Sequence, residues 1–476
     1  MDIAVLIVAL IYAIGFWTIS WKYPPLALAL IFAPAPFQND LSAGVGAVRF
    51  SFSEINLVLA IPLFLAMLVV GARKGRLWPM FWPSVIYTLA CVASALVRWH
   101  GGTATSSFAQ MVLFLFVVVP VFALLARRPD DLKLALWGML GVAAFFSVVE
   151  LVQRSQYILG IHKNGVGGSL ACALIVAVEL WFHYSEKPTR HKTVLLVLMG
   201  LISMGLLLTL SRGGWLAAIG GITIIAALRR QFALMGRAAL VMIPMLAIAW
   251  SLVPPDLRDY ATSVSSTRGN IKQRYLNNDA ALKAWQKNIW FGDGMGLRKE
   301  IDATNFVLFT LAETGIVGLI TFVGMFVAFF NSLWHARSRL ARDDFAFSLL
   351  CIGGGLMMSR LMQGMVDHYW ARGPTMMAWA GAGMAMGALW FKTQIATDQL
   401  QRARALLSLH LLESLRRGRS ATSTLPTLTR AELEAAQNAL ALVKNGKNAS
   451  SHRLREPRGE NDALAELAKR LRANGH

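Results

Sequence analysis

Charge is scarce in this chain. Only 15% of its 476 residues are Asp, Glu, Lys or Arg, against 56% that are hydrophobic, and soluble domains carry about one charged residue in four. A string of soluble domains is therefore excluded. Acid is scarcer than base, 26 residues against 46, so the formal charge is +20. That excess raises nucleic acid as a partner until the positions of the charges are read. Cysteine is scarcer still. Cys91, Cys172 and Cys351 lie far apart inside apolar runs with no CxxC or Cys/His spacing, which excludes both a disulfide framework and a zinc site. Neither a metal nor a cofactor is expected.

What the chain has in abundance is apolar runs of about 20 residues, the length that crosses a hydrocarbon core of about 30 Å. They fall at 3–20, 24–37, 55–71, 80–97, 108–126, 132–152, 165–183, 193–210, 213–228, 238–253, 306–330, 345–366 and 374–391. The second is bracketed by Pro24, Pro25, Pro34 and Pro36 and reads as a span or a re-entrant segment. The expected fold class is an all-α polytopic membrane protein with about 12–13 transmembrane helices.

Basic residues collect in every second loop: Arg73, Lys74 and Arg76; Arg127 and Arg128; Lys187, Arg190 and Lys192; Arg229, Arg230 and Arg237; Arg337, Arg339 and Arg342. Short cytoplasmic loops are enriched in Lys and Arg, so these loops and the C-terminal tail are expected in the cytoplasm. With 13 spans the N-terminus falls outside. Asp2 with no early Lys or Arg fits that and argues against a cleavable signal peptide. The membrane domain is expected over 1–391, and two pieces are non-membrane. One is a long extracytoplasmic loop, 254–304, with a helical stretch around Asn278 to Lys287. The other is the tail, 392–476, where 15 bases and 8 acids leave +7. Leucines and arginines over Leu400 to Arg417 predict a helix lying on anionic lipid, and Thr429 with Glu432 predicts a cap for a second helix.

An ionisable side chain in or at a span is a functional candidate by default. Arg212 stands between two apolar runs, followed by Gly213 and Gly214, which permit a turn and close approach of a ligand. A guanidinium there either snorkels to headgroups or grips phosphate through its planar fork. The outer loop adds Arg268, Lys272, Arg274, Lys283 and Lys287, then Gly292, Gly294 and Gly296. Long outer segments are permitted to be basic but not required to be. An anionic ligand such as a lipid pyrophosphate would supply the reason. Arg360 lies too deep in its span for snorkelling alone, with Glu313 as its structural partner or both lining a lipid cavity. Glu150, Arg154 and Glu179 read mainly as helix-joining groups. Trp285 and Trp290 are the aromatics placed to stack on sugar.

Three motifs in order then point to a family. Ser211–Trp215 (Ser-Arg-Gly-Gly-Trp), Arg274 with Ala281, Trp285 and the Phe291–Gly296 turn, and Asn305–Gly318 resemble the conserved half of the O-antigen ligase and O-antigen polymerase family. The resemblance implies a GT-C-like, metal-independent, inverting glycosyltransferase at the periplasmic face of the bacterial inner membrane. It moves a glycan from an undecaprenyl-pyrophosphate carrier to a hydroxyl of an acceptor glycan or glycolipid, as polymerase or ligase, with other polysaccharide-assembly proteins as partners. The family's two pyrophosphate-binding arginines fall on Arg212 and Arg274, with Arg268 and Lys272 beside them. Fixed guanidinium donors would stabilise a diphosphate leaving group more in the transition state than in the ground state.

The sequence departs from the family at Thr304, where the ligases carry a histidine before the asparagine matched here by Asn305. Threonine is no base at neutral pH. The base has moved, or the reaction depends little on one, or the chemistry has changed. His368 with Asp367, where the twelfth span emerges, is the first replacement, and His162 with Lys163 the second. Two other readings stay open: a transporter or flippase for a lipid-linked or other anionic solute, and a non-catalytic assembly component. Nucleic acid drops out, because the basic loops and tail face membrane lipid.

Overall fold

The computed structural model describes residues 3–37, 42–45, 48–69, 79–126, 128–153, 157–185, 190–233, 236, 247, 250–251, 269–297, 300–301, 304–367 and 375–390. Helices dominate: α1 (Ile3–Lys22), α2 (Pro24–Phe32), α3 (Phe52–Val69), α4 (Phe81–Val97), α5 (Gly101–Leu124), α6 (Lys133–Gln153), α7 (Lys163–Ser185), α8 (Arg190–Leu208), α9 (Arg212–Arg229), α10 (Gly269–Lys287), α11 (Phe306–Ala336), α12 (Phe345–Gly364) and α13 (375–390). Two short antiparallel hairpins complete the described chain, β1 (Ser42–Val45) with β2 (Val48–Ser51), and β3 (Tyr157–Ile158) with β4 (Ile161–His162).

The molecule is an all-α, multi-pass membrane protein. Among the described residues six helices, α5, α6, α7, α8, α11 and α12, are long and apolar enough to cross a bilayer, and Ile7–Lys22, Phe52–Ala66 and Phe81–Val97 are shorter apolar helices. The segment read as a weak second span holds only the nine-residue α2, about 14 Å at 1.5 Å per residue. That is half the thickness of the hydrocarbon core. The run at 238–253 falls almost wholly outside the described residues, as do the outer-loop stretch 252–268 and the tail with its two expected helices.

Helix irregularities have local causes. Pro120 lacks the amide that would bond back one turn, and the chain immediately before it, Phe114–Val118, widens into a π turn. In α11, Gly315 (φ 64°, ψ −165°) breaks the helix. The part beyond that kink, to Ala336, is about 32 Å long and sufficient to span the core by itself. The break therefore sits at a rim of the span rather than midway along it.

At the centre α7 packs against α9 and α12 and is buried along nearly all its length. Small residues let the three backbones approach closely. A Cβ on Gly214 would lie 3.0 Å from the Gly167 backbone, and one on Gly221 would lie 2.7 Å from the Gly355 carbonyl. One end of this trio carries the candidate site; the other carries a closed ion pair.

Candidate functional site

The Arg212 motif is built by a tight turn between α8 and α9. The sequence pattern assigns the turn to Gly213 and Gly214, but the left-handed residue is Leu210 (φ 51°). Thr209 Oγ1 accepts from the Ser211 amide at 3.2 Å, and Ser211 Oγ caps α9 by accepting from the Gly214 amide at 3.2 Å. The two glycines instead form the first turn of α9. Their role is close approach, since a Cβ on Gly213 would lie 2.9 Å from Asp367 Oδ2. Arg212, the first residue of α9, is exposed, and no hydrogen bond or ion pair holds its guanidinium among the described residues.

Helix α10 delivers the second arginine. Arg274, Asn278, Ala281 and Trp285 recur at helical spacing on one face, and Ala281 is buried against Leu297 and Ala312. Packing of that face sets Arg274 against the end of α12. Its Nη1 donates to the Val366 carbonyl at 2.7 Å and its Nη2 to Asp367 Oδ1 at 2.9 Å. Asp367 is buried, its partner about one-third exposed. Burial pushes the Asp367 carboxyl above the usual carboxylate range, although Arg274, Arg212 and a hydrogen bond from Asn164 all pull it down.

The hairpin β3–β4 brings in the third group. It turns through Leu159 and Gly160, both at positive φ, and leads straight into α7. His162 Nδ1 lies 3.3 Å from the Asn164 amide, which donates to it. Burial, then Lys163, then Arg274 lower the affinity of His162 for a proton, and Nδ1 serves as the acceptor for the Asn164 amide. Tyr157 packs edge-on against it at 5.4 Å. Arg212, Arg274, Asp367, His162 and Lys163, from four separate stretches of chain, thus gather at one end of the α7, α9 and α12 trio.

Several candidates have other roles. Glu313 does not pair with Arg360; its Oε1 accepts from the amides of Gly296 and Leu297 at 2.8 and 3.1 Å. It anchors the glycine turn, where Gly292, Gly294 and Gly296 all have positive φ. The turn docks on the kink of α11: the Asp293 amide donates to Ala312 O at 2.8 Å, and a Cβ on Gly315 would lie 2.3 Å from Trp290 O. Asp293 in turn receives Arg98 and Lys287, at 3.2 and 2.6 Å. Lys283 pairs with Asp279. Of the outer-loop bases, Lys272 is exposed, while Arg268 lies outside the described residues, as does His368. Asn305 caps α11 by accepting from the Val307 and Leu308 amides, and Thr304 Oγ1 donates to Asn278 at 3.5 Å. Trp285 donates from Nε1 to the Ile289 carbonyl at 3.0 Å, whereas Trp290 is freely exposed.

Residues 194–323 match the O-antigen ligase family. The matched segment runs from α8 into α11 and contains Arg212, Arg274, Thr304, Asn305 and Glu313. It supports a role in O-antigen and polysaccharide biosynthesis, with a lipid-linked glycan and an acceptor as the general substrates. No curated protein matches the chain. Asp367, Arg360, His162 and Lys163 lie outside the segment that matches the O-antigen ligase model. The convergence therefore joins family-matched arginines to residues that only this fold brings beside them.

Two further contributors escaped the sequence reading. Asn164 and Gln363 carry no charge and form no motif, but both are tied to the cluster. An apolar groove also runs along α11. Phe306, which packs on Gly364, opens a channel lined by Phe322, Phe326, Phe330, Trp334 and Leu361 along α11.

Proposed function

We propose that the protein transfers a glycan from an undecaprenyl-pyrophosphate carrier to an acceptor hydroxyl, as ligase or polymerase, at the periplasmic face of the bacterial inner membrane. The observation that carries this reading is the meeting of Arg212 and Arg274 at the capped N-terminus of α9. The first amides of a helix point at an anion and its dipole favours one, and two guanidinium forks beside them suit a diphosphate. As the glycosidic bond breaks, negative charge grows on the leaving diphosphate, and donors already fixed in place stabilise that charge.

Asp367 takes the role that Thr304 cannot. Its carboxylate, held above the usual range, accepts the acceptor proton, whereas His162, whose Nδ1 already accepts the Asn164 amide, donates from Nε2. The enzyme needs no metal in this scheme, and inversion follows from one direct displacement. The apolar groove that includes Phe306 has the lining that a polyprenyl chain would require. Membrane lipids and other polysaccharide-assembly proteins are the remaining partners, with the tail, 392–476, as a cytoplasmic basic module.

The test is direct. Purified protein in lipid vesicles is given undecaprenyl-pyrophosphate-linked oligosaccharide and a glycolipid acceptor, and product glycan and free carrier pyrophosphate are measured. Both should appear together. Uptake or flipping of the donor with neither product would replace this reading with a transporter.

A further inference from the structure

Arg360 is among the largest fully buried side chains in the protein. An isolated buried charge costs several kcal/mol unless it is compensated, yet no carboxylate pairs with it among the described residues. Its Nη2 bonds Gln363 Oε1 and reaches the Gly168 carbonyl at 3.4 Å, while Nε and Nη1 have no hydrogen-bond partner among the described residues. Room for this arrangement is made on α7, because a Cβ on Gly168 would lie 2.6 Å from Arg360 Nη2.

Residues 360, 363 and 367 share a face near the end of α12, and the Asp367 amide still bonds the Gln363 carbonyl at 2.8 Å. Gln363 Nε2 donates to the Asn164 carbonyl at 2.9 Å. The Asn164 side chain acts in turn on the Asp367 carboxylate, and the Arg360 and Asp367 charges attract one another. The contacts to the Gly168 carbonyl and the Cys172 thiol tie this buried cation to α7, and the one through Gln363 leads on to the Asp367 carboxylate.

We propose that Arg360 is a positioning residue for Asp367, acting through Gln363 and Asn164. Gln363 is fixed in one amide orientation, with its oxygen on Arg360 and its nitrogen on Asn164, and that fixes the start of α7 against the end of α12. The geometry stands by itself; the consequence for glycan transfer rests on the function proposed above. The other groups acting on the Asp367 carboxylate are Arg274 from α10 and Arg212 from α9, with His162 beside Arg274. All three remain in place in the variants below.

The readout is the protonated-carboxyl infrared band of Asp367, titrated in purified full-length protein and assigned by its disappearance in Asp367→Asn. Gln363→Leu and Asn164→Ala should each raise its midpoint by about half to one pH unit, roughly three- to tenfold in proton affinity. Arg360→Met should raise it at least as far, and Arg360→Lys should recover part of the shift by restoring charge without the fork. A folded Gln363→Leu protein with an unmoved Asp367 midpoint overturns the proposal. If Arg360→Met does not fold, the Gln363 and Asn164 variants decide. A shifted band in a protein that transfers no glycan would remove the function and leave the positioning role standing.

Discussion

Two buried arginines sit at opposite ends of the α7, α9 and α12 trio. Arg229 is closed off: Glu179 takes both its Nε and Nη2, Ser348 accepts another bond, and the rings of Phe182 and Phe347 lie 5.5 and 5.3 Å from its guanidinium. Arg360, on the same scaffold, has amide oxygens in place of a carboxylate. Near it, at the same end, no hydrogen bond or ion pair holds the Arg212 guanidinium among the described residues, and Arg274 is partly exposed. A satisfied pair joins helices. At the other end two arginines share the single Asp367 carboxylate, and the function proposed above needs a second anion there.

The sharpest way to break this comparison is Glu179→Leu, which strands Arg229 in the core. A loss of about 3–5 kcal/mol is expected, read from thermal unfolding in detergent, and the double variant with Arg229→Met should recover most of it. Arg360→Met should cost markedly less stability, since it removes a charge that lacks a carboxylate partner. Equal losses at the two ends would erase the distinction.

Next in size are Arg274→Ala and Arg212→Ala, each expected to lower turnover by about 100- to 1000-fold while the folded fraction is unchanged. Wild-type turnover in either variant removes that arginine from the pyrophosphate site. Asp367→Asn should lower turnover by roughly 100-fold. In the wild type the rate should fall as pH drops through the Asp367 midpoint, at a pH above the usual carboxylate range. The same upward shift means that the folded protein binds this proton more tightly than the unfolded chain. Its contribution to stability therefore declines as pH rises from the ordinary carboxylate value to the raised one. A rate profile flat across that window would separate Asp367 from the chemistry.

The smallest effect expected is that of Gly213→Ala. The new methyl would meet Asp367 Oδ2 and push it off the α9 N-terminus, lowering turnover by about tenfold through misplacement. A variant with wild-type kinetics would show that this contact is loose.

Much of the fold was legible because membrane spans announce themselves by length and hydropathy. Cys91, Cys172 and Cys351, each set in an apolar run, are buried. Arg212 was conspicuous for a similar reason, since a cation at an apolar boundary is costly, whereas Arg274 stood out only through the family motif. Asn164 and Gln363 gave no such signal, because a neutral amide near a span end has many uses. The Glu313 reading failed on geometry. The kink at Gly315 turns the start of α11 toward the glycine turn, so Glu313 meets the amides of Gly296 and Leu297 rather than Arg360.

The sequence by itself determined that this is a helical membrane protein with a few charges that topology does not explain. Those properties follow from transfer free energies, which each segment carries independently of its neighbours. The tertiary structure alone decided which charges meet, because ion pairing depends on distances set by α7, α9, α10 and α12 together. It assigned Glu313 to a turn and Arg229 to a closed pair, and it gathered Arg212, Arg274 and Asp367 from three distant segments.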